Sequence, residues 1–182
     1  LRCDSASPVR GILRPSIVFG PEDQFFNRFA RMARFTPAIP VVGGSTRFQP
    51  VWVQDVAEAA VKACTGEAAP GVYELGGPNV YTFRELMELM LRTIRRRRLI
   101  LDIPVWAGKI QGSVLQWLPN PPLTRDQVEL LAKDNVVAPG AKGFPELGIE
   151  PEPPEGIIES YLYAHRPYGQ YAALTESKRE LD

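Results

Sequence analysis

Four consecutive arginines, Arg95 to Arg98, form the densest group of charge in the sequence. Guanidinium groups bind phosphate oxygens in a forked geometry, so this run favours a site for lipid headgroups or nucleic acid phosphates. The alternative is a solvated helix end, where cations are stabilised by the carboxyl-terminal dipole of the helix. The sequence thus predicts an anion- or lipid-binding group at Arg95, Arg96, Arg97 and Arg98, with the solvated helix end as the other interpretation.

Other residue types that could carry out chemistry are sparse. His165 is the only histidine, and at a helix end it is expected to be a surface group that complements the dipole. Asp55 is open to a catalytic interpretation, but an Asp in front of a helix is expected to cap its free amide groups. The two cysteines, Cys3 and Cys64, lack a metal-like spacing. We predict neither a catalytic nor a metal-binding residue in this chain.

Helices and strands must position these residues. The stretch from Ile12 to Asp23 gives the clearest local pattern, which predicts a strand, a turn and a helix start. Its apolar, partly β-branched start indicates a buried strand, and Pro15 must weaken or end the ladder because it has no N–H. Gly20-Pro21 indicates a turn, and Asp23 can cap a helix that runs from Asp23 to Phe35. Ligands bind at the carboxyl ends of strands in open α/β sheets, although an ordinary strand-turn-helix joint has the same pattern.

The rest of the chain predicts short strands alternating with helices. The helix after Asp55 is expected to bury an apolar stripe and to close at Gly66, and Thr82-x-x-Glu85 is a capping box. That stripe consists of Ala57, Ala60, Val61 and Cys64. Further strands are predicted at 72–75 and 99–101, and further helices after Pro104, after Thr124 and from Pro154 to His165. The helix after Pro104 carries Trp106 and Trp117 on an apolar face, which is typical of core but also resembles an interfacial element.

Three stretches together resemble the extended short-chain dehydrogenases, the NAD-dependent epimerase/dehydratase family. Residues 14–23 are similar to the segment that follows the catalytic Tyr-x-x-x-Lys of that family, and residues 48–57 to its strand-into-helix joint. Residues 73–86 are similar to its last sheet strand and the helix that follows. Within the family, the chain resembles the atypical branch that contains the nucleotide-binding accessory subunit of respiratory complex I. That resemblance continues through 122–128 and 146–149 and covers nearly the whole chain from Ile12 onward.

The resemblance implies an α/β fold, formed by the carboxyl-terminal part of a Rossmann-type doubly wound sheet and a small helix-rich substrate lobe. It implies that the backbone of Pro15, Ser16 and Ile17 meets the nicotinamide carboxamide of NAD(P). The substrate-binding positions that it implies are Phe26, Asn27, Arg47 and Gln49.

Several features of the family are absent from this sequence. It contains no Gly-rich phosphate loop of the G-x-x-G-x-x-G kind, and no tyrosine is followed by lysine four residues later. Sugar-nucleotide epimerases of the family also hold a diphosphate with an Arg seven residues before the residue that corresponds to Asp55. That position is Phe48 here, and Arg47 lies one residue early. The chain resembles the carboxyl-terminal half of a longer protein, and we expect it alone to be inactive and to bind NAD(P) weakly or not at all.

Length and charge limit the remaining possibilities. The 182 residues include 21 basic and 21 acidic side chains, a balance that argues against a nucleic-acid partner. No run of about 18 uncharged apolar residues suggests a membrane span. We predict rim strands and helices of the sheet with part of the substrate lobe in 1–94, a substrate or interaction lobe in 95–168, and a polar tail in 169–182.

Three functions are compatible with the sequence. The first is a non-catalytic accessory or assembly subunit of complex I, or a near relative, expected in the cytoplasm, at the inner face of a respiratory membrane or on the mitochondrial matrix side. The second is an NAD(P)-dependent epimerase, dehydratase or reductase, and the third is a lipid- or protein-docking domain. The expected partners include complex I subunits and anionic lipid. A further expected partner is the amino-terminal half of the protein or a second copy of the chain, because a half-sheet exposes unpaired edges and apolar faces.

Overall fold

The computed structural model describes residues 11–104, 131 and 133–167. Eight short strands occur in these ranges: β1 Gly11–Pro15, β2 Val18–Phe19, β3 Ala38–Val42, β4 Arg47–Phe48, β5 Val51–Trp52, β6 Gly71–Leu75, β7 Tyr81–Thr82 and β8 Leu99–Ile103. Four α-helices occur with them: α1 Phe26–Phe35, α2 Val53–Thr65, α3 Phe83–Thr93 and α4 Pro154–Leu162. Two 3-10 turns, Pro145–Leu147 and Tyr163–His165, flank α4.

The strands pair as four two-stranded ribbons. β1 pairs with β6, β2 with β5 and β3 with β8, all parallel, whereas β4 and β7 are antiparallel. The partners of each parallel pair are far apart in sequence, so helices connect them, as expected for α/β folds. The predicted α/β fold class is confirmed.

The organising strand lies where the sequence predicts it. β1 is in register with β6 from Gly11 opposite Gly71 to Pro15 opposite Leu75, and the ladder ends at the proline. Helix α1 starts at Phe26, three residues later than predicted, and its N-cap is Phe25, not Asp23. Asp23 Oδ1 still accepts a hydrogen bond from the Asn27 N–H in the first turn, at 3.0 Å. The chain therefore runs from strand through turn to helix at this point.

Two other helix ends agree with their sequence patterns. The hydroxyl of Thr82 accepts a hydrogen bond from the Glu85 N–H, and the Glu85 carboxylate accepts one from the Thr82 N–H. Gly66 ends α2 with φ of 84°, a left-handed conformation that glycine adopts without steric cost. The predicted capping box and C-cap are both confirmed.

The predicted apolar stripe of α2 is wrong. The helix begins at Val53, so Asp55 lies inside its first turn rather than in front of it, and the buried side carries Asp55 and Ala59. Ala57, Val61 and Cys64 lie on the exposed side. The apolar pattern did not show that Asp55 faces the interior, where a hydrogen bond from a distant segment offsets part of the cost of burying its carboxylate.

Two groups of buried side chains form the core. The larger one packs α1, α3 and α4 around an aromatic cluster: Phe19, Phe25, Phe26, Phe29, Phe48 and Phe83. The smaller one packs β5 and β6 against the 3-10 turn at 145–147 through Val51, Tyr73, Leu75, Phe144 and Leu147. These two groups fix the strand ends that carry the candidate site.

The outer face of the β1–β6 ribbon is uncovered within the described residues. Leu13 packs against the smaller core group, whereas Ile12 is 58% exposed and Val72 is 39% exposed. Parallel sheets are normally covered on both faces. The predicted helices after Pro104 and Thr124, the residue Cys3 and the tail from 169 lie outside the described residues.

Candidate functional site

The carboxyl ends of β1, β4 and β6 meet at Ser16. The Ser16 N–H donates to the carbonyl oxygen of Leu75 at 2.9 Å, and its hydroxyl donates to the carbonyl oxygen of Asn135 at 2.7 Å. The Gln49 N–H donates to Ser16 Oγ at 3.4 Å and to the Asn135 carbonyl oxygen at 3.1 Å. The structure thus brings together one predicted cofactor residue and one predicted substrate residue.

The side chain of Gln49 fastens two further segments to this point. Its Nε2 donates to the Gly77 carbonyl oxygen at 2.7 Å, and its Oε1 accepts from the Val137 N–H at 3.0 Å. A Cβ on Gly76 would overlap Gln49, and one on Gly77 would overlap the carbonyl oxygen of Pro50. The two glycines therefore allow close backbone packing, consistent with their lack of phosphate-loop spacing.

Of the three predicted cofactor-binding residues, Ile17 retains a free backbone donor. Pro15 has no N–H, and the Ser16 N–H is bonded to Leu75. The Ile17 carbonyl accepts from the Val51 N–H at 2.9 Å, whereas its own N–H has no hydrogen-bond partner among the described residues. An amide of this kind fits the oxygen of a nicotinamide carboxamide, because it is a fixed donor at the end of a parallel strand.

Arg47 and Phe48 form β4, the strand that directly precedes Gln49. The backbone N–H of Arg47 donates to Asp134 Oδ1 at 2.9 Å, and its guanidinium binds the same carboxylate through Nε and Nη2, both at 2.9 Å. The backbone hydrogen bond, followed by the guanidinium contacts, lowers the pKa of Asp134. Phe48 is only 2% exposed and packs edge-to-face on Phe83. The position to which the family resemblance assigns a diphosphate-binding arginine is thus occupied by a core phenyl ring.

The other two predicted substrate residues lie at the start of α1. Phe26 is fully buried against Phe19 and Phe25, so it offers no surface to a substrate in this structure. The amide of Asn27 donates to the Pro21 carbonyl at 3.0 Å, and its Oδ1 lies 3.4 Å from His165 Nε2. Arg47 and Gln49 both bond to the backbone of Asn135, whereas Phe26 and Asn27 are held by other neighbours at the start of α1.

His165 is half-buried, and not the freely exposed surface group expected from its position. Burial and the positive charges of Arg34, Arg31 and Arg96 lower the pKa of His165. Its Nδ1 is buried and has no partner in the described part of the chain. The histidine contacts α1 from the 3-10 turn that follows α4, and its lowered pKa favours the neutral ring.

Asp55 is not the helix cap predicted from the sequence. Its Oδ2 accepts a hydrogen bond from the Glu152 N–H at 3.0 Å, and the residue is 6% exposed. Burial raises the pKa of Asp55, and the nearby charges of Glu152 and Glu58 act in the same direction. The carboxylate thus joins α2 to the segment that precedes α4.

Two tyrosines donate to carboxylates instead of standing beside a lysine. The Tyr161 hydroxyl donates to Asp23 Oδ2 at 2.6 Å, and the Tyr81 hydroxyl donates to Glu155. Burial and the hydrogen bond to Glu155 raise the pKa of Tyr81 to about 12. Burial and the hydrogen bond to Asp23 likewise raise the pKa of Tyr161 above its ordinary value. A tyrosine with a raised pKa is a weak acid that stays protonated at neutral pH, so these hydroxyls act as hydrogen-bond donors in structural contacts.

Asp134, Asn135 and Val137 are contacts that sequence reasoning missed. They belong to a segment with no regular element, which touches the strand ends through one bridge between Phe48 and Asn135. No periodic pattern marks such a segment, and its partners lie almost ninety residues earlier in the chain.

No protein-family model matches the sequence. The mitochondrial NADH dehydrogenase [ubiquinone] 1 alpha subcomplex subunit 9 of Arabidopsis thaliana is 32% identical over 187 residues, which cover 96% of this chain and 46% of that protein. The same subunit of Mus musculus is 34% identical over 172 residues, with 90% and 44% covered. The NADH-ubiquinone oxidoreductase 40 kDa subunit of Neurospora crassa is 31% identical over 182 residues, with 98% and 48% covered.

These three relatives are subunits of mitochondrial NADH dehydrogenase, or NADH-ubiquinone oxidoreductase, and each is similar to at least 90% of this chain. The family resemblance inferred from residues 14–23, 48–57 and 73–86 is thereby confirmed. The chain spans about half the length of the curated relatives it matches.

Solved structures support the fold. A dTDP-glucose 4,6-dehydratase of Bacillus anthracis in complex with NAD matches 94% of this chain and 47% of its own, with a TM-score of 0.58 and 16% identity. An epimerase of Methanothermobacter thermautotrophicus matches 91% of this chain and 44% of its own, with a TM-score of 0.58 and 17% identity. The chain has the same fold as part of these epimerase and dehydratase structures.

Proposed function

We propose that this chain forms the carboxyl-terminal half of a non-catalytic accessory subunit of complex I, on the matrix side of the inner mitochondrial membrane. The observation that carries the proposal is sequence identity of 31% to 34% with subunits from a plant, a fungus and a mammal, over at least 90% of the chain. Identity at this level over nearly the whole chain favours a shared place in the same assembly.

NAD(P) is the cofactor that we assign to the complete subunit, with the Ile17 N–H and neighbouring backbone groups as its contacts in this half. In enzymes of this fold the cofactor supplies or accepts a hydride. In a non-catalytic subunit its binding free energy would instead stabilise the folded state by mass action. Backbone contacts at 15–17 lack the positive helix end that pyrophosphate requires, so we expect this half alone to bind NADPH weakly or not at all.

A second candidate is an NAD(P)-dependent epimerase, dehydratase or reductase, which the shared fold favours. Two local features argue against a diphosphosugar substrate. Phe48 is buried where related epimerases hold the diphosphate, and the nearby Arg47 is neutralised by Asp134. A buried phenyl ring cannot replace the bidentate phosphate contact of a guanidinium.

Affinity purification distinguishes the two candidates. The tagged full-length protein is isolated from gently solubilised mitochondria, its associated proteins are identified by mass spectrometry, and the purified protein is incubated with NAD(P) and sugar nucleotides. The accessory role predicts NADH dehydrogenase subunits in the isolate and no turnover. An isolate without those subunits, combined with conversion of a sugar nucleotide, would establish the enzyme instead.

A further inference from the structure

An open depression of about 720 Å³ lies between the end of α3 and the start of β8. Six arginines contribute to its lining, together with one glutamate and three aliphatic side chains. The arginines are Arg84, Arg92, Arg95, Arg96, Arg97 and Arg98. Arg84 is paired with Glu88 and Asp102, so its charge is compensated locally. The described structure thus gathers the arginine run into one concave, strongly basic surface.

Two of these arginines are fixed in place by backbone carbonyl groups. Arg96 Nε donates to the His165 carbonyl oxygen at 2.9 Å, and Arg98 Nε donates to the Ala33 carbonyl oxygen at 2.9 Å. Burial, with the positive charges of Arg98 and Arg34, lowers the pKa of Arg96. Like charges held this close repel each other, and an anion bound among them would relieve the repulsion.

Exposed apolar side chains border the same surface. Leu99 is 70% exposed and Leu101 is 52% exposed, and both lie on the outward face of β8. Phe35, at the end of α1, is 83% exposed. The Leu99 N–H donates to the Pro37 carbonyl oxygen at 3.1 Å, which holds the start of β8 against the turn that follows Phe35. Apolar groups in this position have no role in binding a free phosphate.

We propose that the basic depression and its apolar border, hereafter the basic–apolar surface, bind a membrane of anionic phospholipid. The exposed arginines Arg92, Arg95 and Arg97 would contact headgroup phosphates, and Leu99, Leu101 and Phe35 would enter the boundary between headgroups and acyl chains. This combination of charge and apolar area is what peripheral membrane contacts require. No described helix is long and apolar enough to cross a membrane, so the contact is a peripheral one.

The membrane contact goes beyond the proposed accessory role and does not depend on it. A complex I subunit could be held by protein contacts alone, and a lipid-binding surface would operate equally in a protein outside complex I. Each can fail without the other, because vesicle binding is measured with the purified protein and no respiratory subunit present.

Vesicle flotation tests the proposal, since it separates lipid-bound protein from aggregates that sediment. The full-length protein is mixed with vesicles of phosphatidylcholine alone or of phosphatidylcholine with phosphatidylglycerol. We expect flotation only with the anionic vesicles. Binding should fall as salt is raised, since exposed charges are screened over about 10 Å at 0.1 M ionic strength, and a salt-resistant remainder should reflect the apolar contacts.

Two variants separate the charge from the apolar border. Arg92→Gln, Arg95→Asn and Arg97→Gln together leave the backbone-bonded Arg96 and Arg98 intact, and Asn tolerates the left-handed conformation of Arg95, whose φ is 53°. We expect this triple variant to bind about 100-fold more weakly, on the basis of roughly fivefold for each arginine near an anionic surface. Leu99→Thr with Leu101→Thr should abolish the salt-resistant remainder.

A matched control removes three positive charges elsewhere, through Arg14→Gln, Lys133→Gln and Lys142→Gln, and should bind almost as the unchanged protein does. The proposal is overturned if no variant or vesicle composition changes flotation, or if the control weakens binding as much as the arginine triple variant. It is also overturned if inorganic pyrophosphate at submillimolar concentration releases the protein fully while the leucine variant binds normally. That last result would assign the surface to a free anion.

Discussion

Asp55 and Glu152 connect two distant parts of the chain, because the buried Asp55 carboxylate accepts the Glu152 N–H at 3.0 Å. A hydrogen bond to a charged acceptor contributes about 1.5–3 kcal/mol. We predict that Asp55→Ala lowers the free energy of unfolding by about 2 kcal/mol, whereas Asp55→Asn, which keeps an acceptor oxygen, loses less than half of that. Urea denaturation of the two variants measures the difference.

The same pair has a defined pH dependence. Burial raises the pKa of Asp55 above its ordinary value of 3.8, so the folded state holds the proton more tightly than the unfolded state. The stability that the protonated Asp55 side chain contributes is therefore fully present below pH 3.8 and is lost as the pH rises through the raised pKa of Asp55. Asp55→Asn should remove that dependence, and equal losses in both variants at every pH would contradict the structural role of the carboxylate.

Gly77 packs directly on the backbone of Pro50, and a Cβ there has no space. We predict that Gly77→Ala destabilises the protein by about 3 kcal/mol, since the obstructing atom is a backbone carbonyl that cannot rotate away. The matched control is Gly156→Ala in α4, where an added Cβ meets nothing within 4 Å. It should stabilise the helix by up to about 1 kcal/mol, and thermal unfolding of both variants tests the contrast.

His165 should make the protein sensitive to mild acid. Burial and the three arginines lower its pKa from the ordinary value of 6.5, so the unfolded state takes up the proton first as pH falls. The stability contributed by the neutral His165 ring is present above pH 6.5 and is lost as the pH falls through the lowered pKa of His165. His165→Gln should flatten the fall in urea midpoint below pH 6.5, and an unchanged profile in this variant would show that another group is responsible.

The uncovered face of the β1–β6 ribbon should cause association. Ile12 and Val72 are exposed in neighbouring strands, and burial of such a face yields roughly 25 cal/mol per Å². We predict that this chain, expressed alone, has a larger mass than a monomer by light scattering, and that Ile12→Lys with Val72→Lys lowers that mass. Val61→Lys with Val80→Lys, at exposed positions elsewhere, is the control, and a monodisperse monomer with cooperative unfolding would contradict this account.

Local sequence patterns correctly predicted those strand and helix ends that are determined by adjacent residues. Pro15 ends β1, Thr82 and Glu85 form their capping box, and Gly66 closes α2, because each depends on the chemistry of one or a few adjacent residues. The orientation of α2 was mispredicted because Asp55 is buried through a bond to a residue 97 positions later. No local pattern carries that information.

The candidate site was predictable to a similar extent. Ser16 and Gln49 were singled out from the family resemblance, and they do meet at one strand end. Their common partner Asn135 was missed, because it lies in an irregular segment without periodicity. The sequence also did not predict that Phe26 is fully buried and therefore cannot contact a substrate. The pattern around an aromatic residue at a helix start does not indicate which distant side chains will enclose it.

Native electrophoresis tests the proposal that this protein belongs to complex I. Mitochondrial membranes are solubilised with a mild detergent, separated on a native gel, stained for NADH dehydrogenase activity and probed with an antibody against this chain. The account predicts that the antibody and the activity mark the same high-mass band. If the protein migrates only at low mass, and its deletion leaves the active band unchanged in position and intensity, the assignment to complex I is wrong.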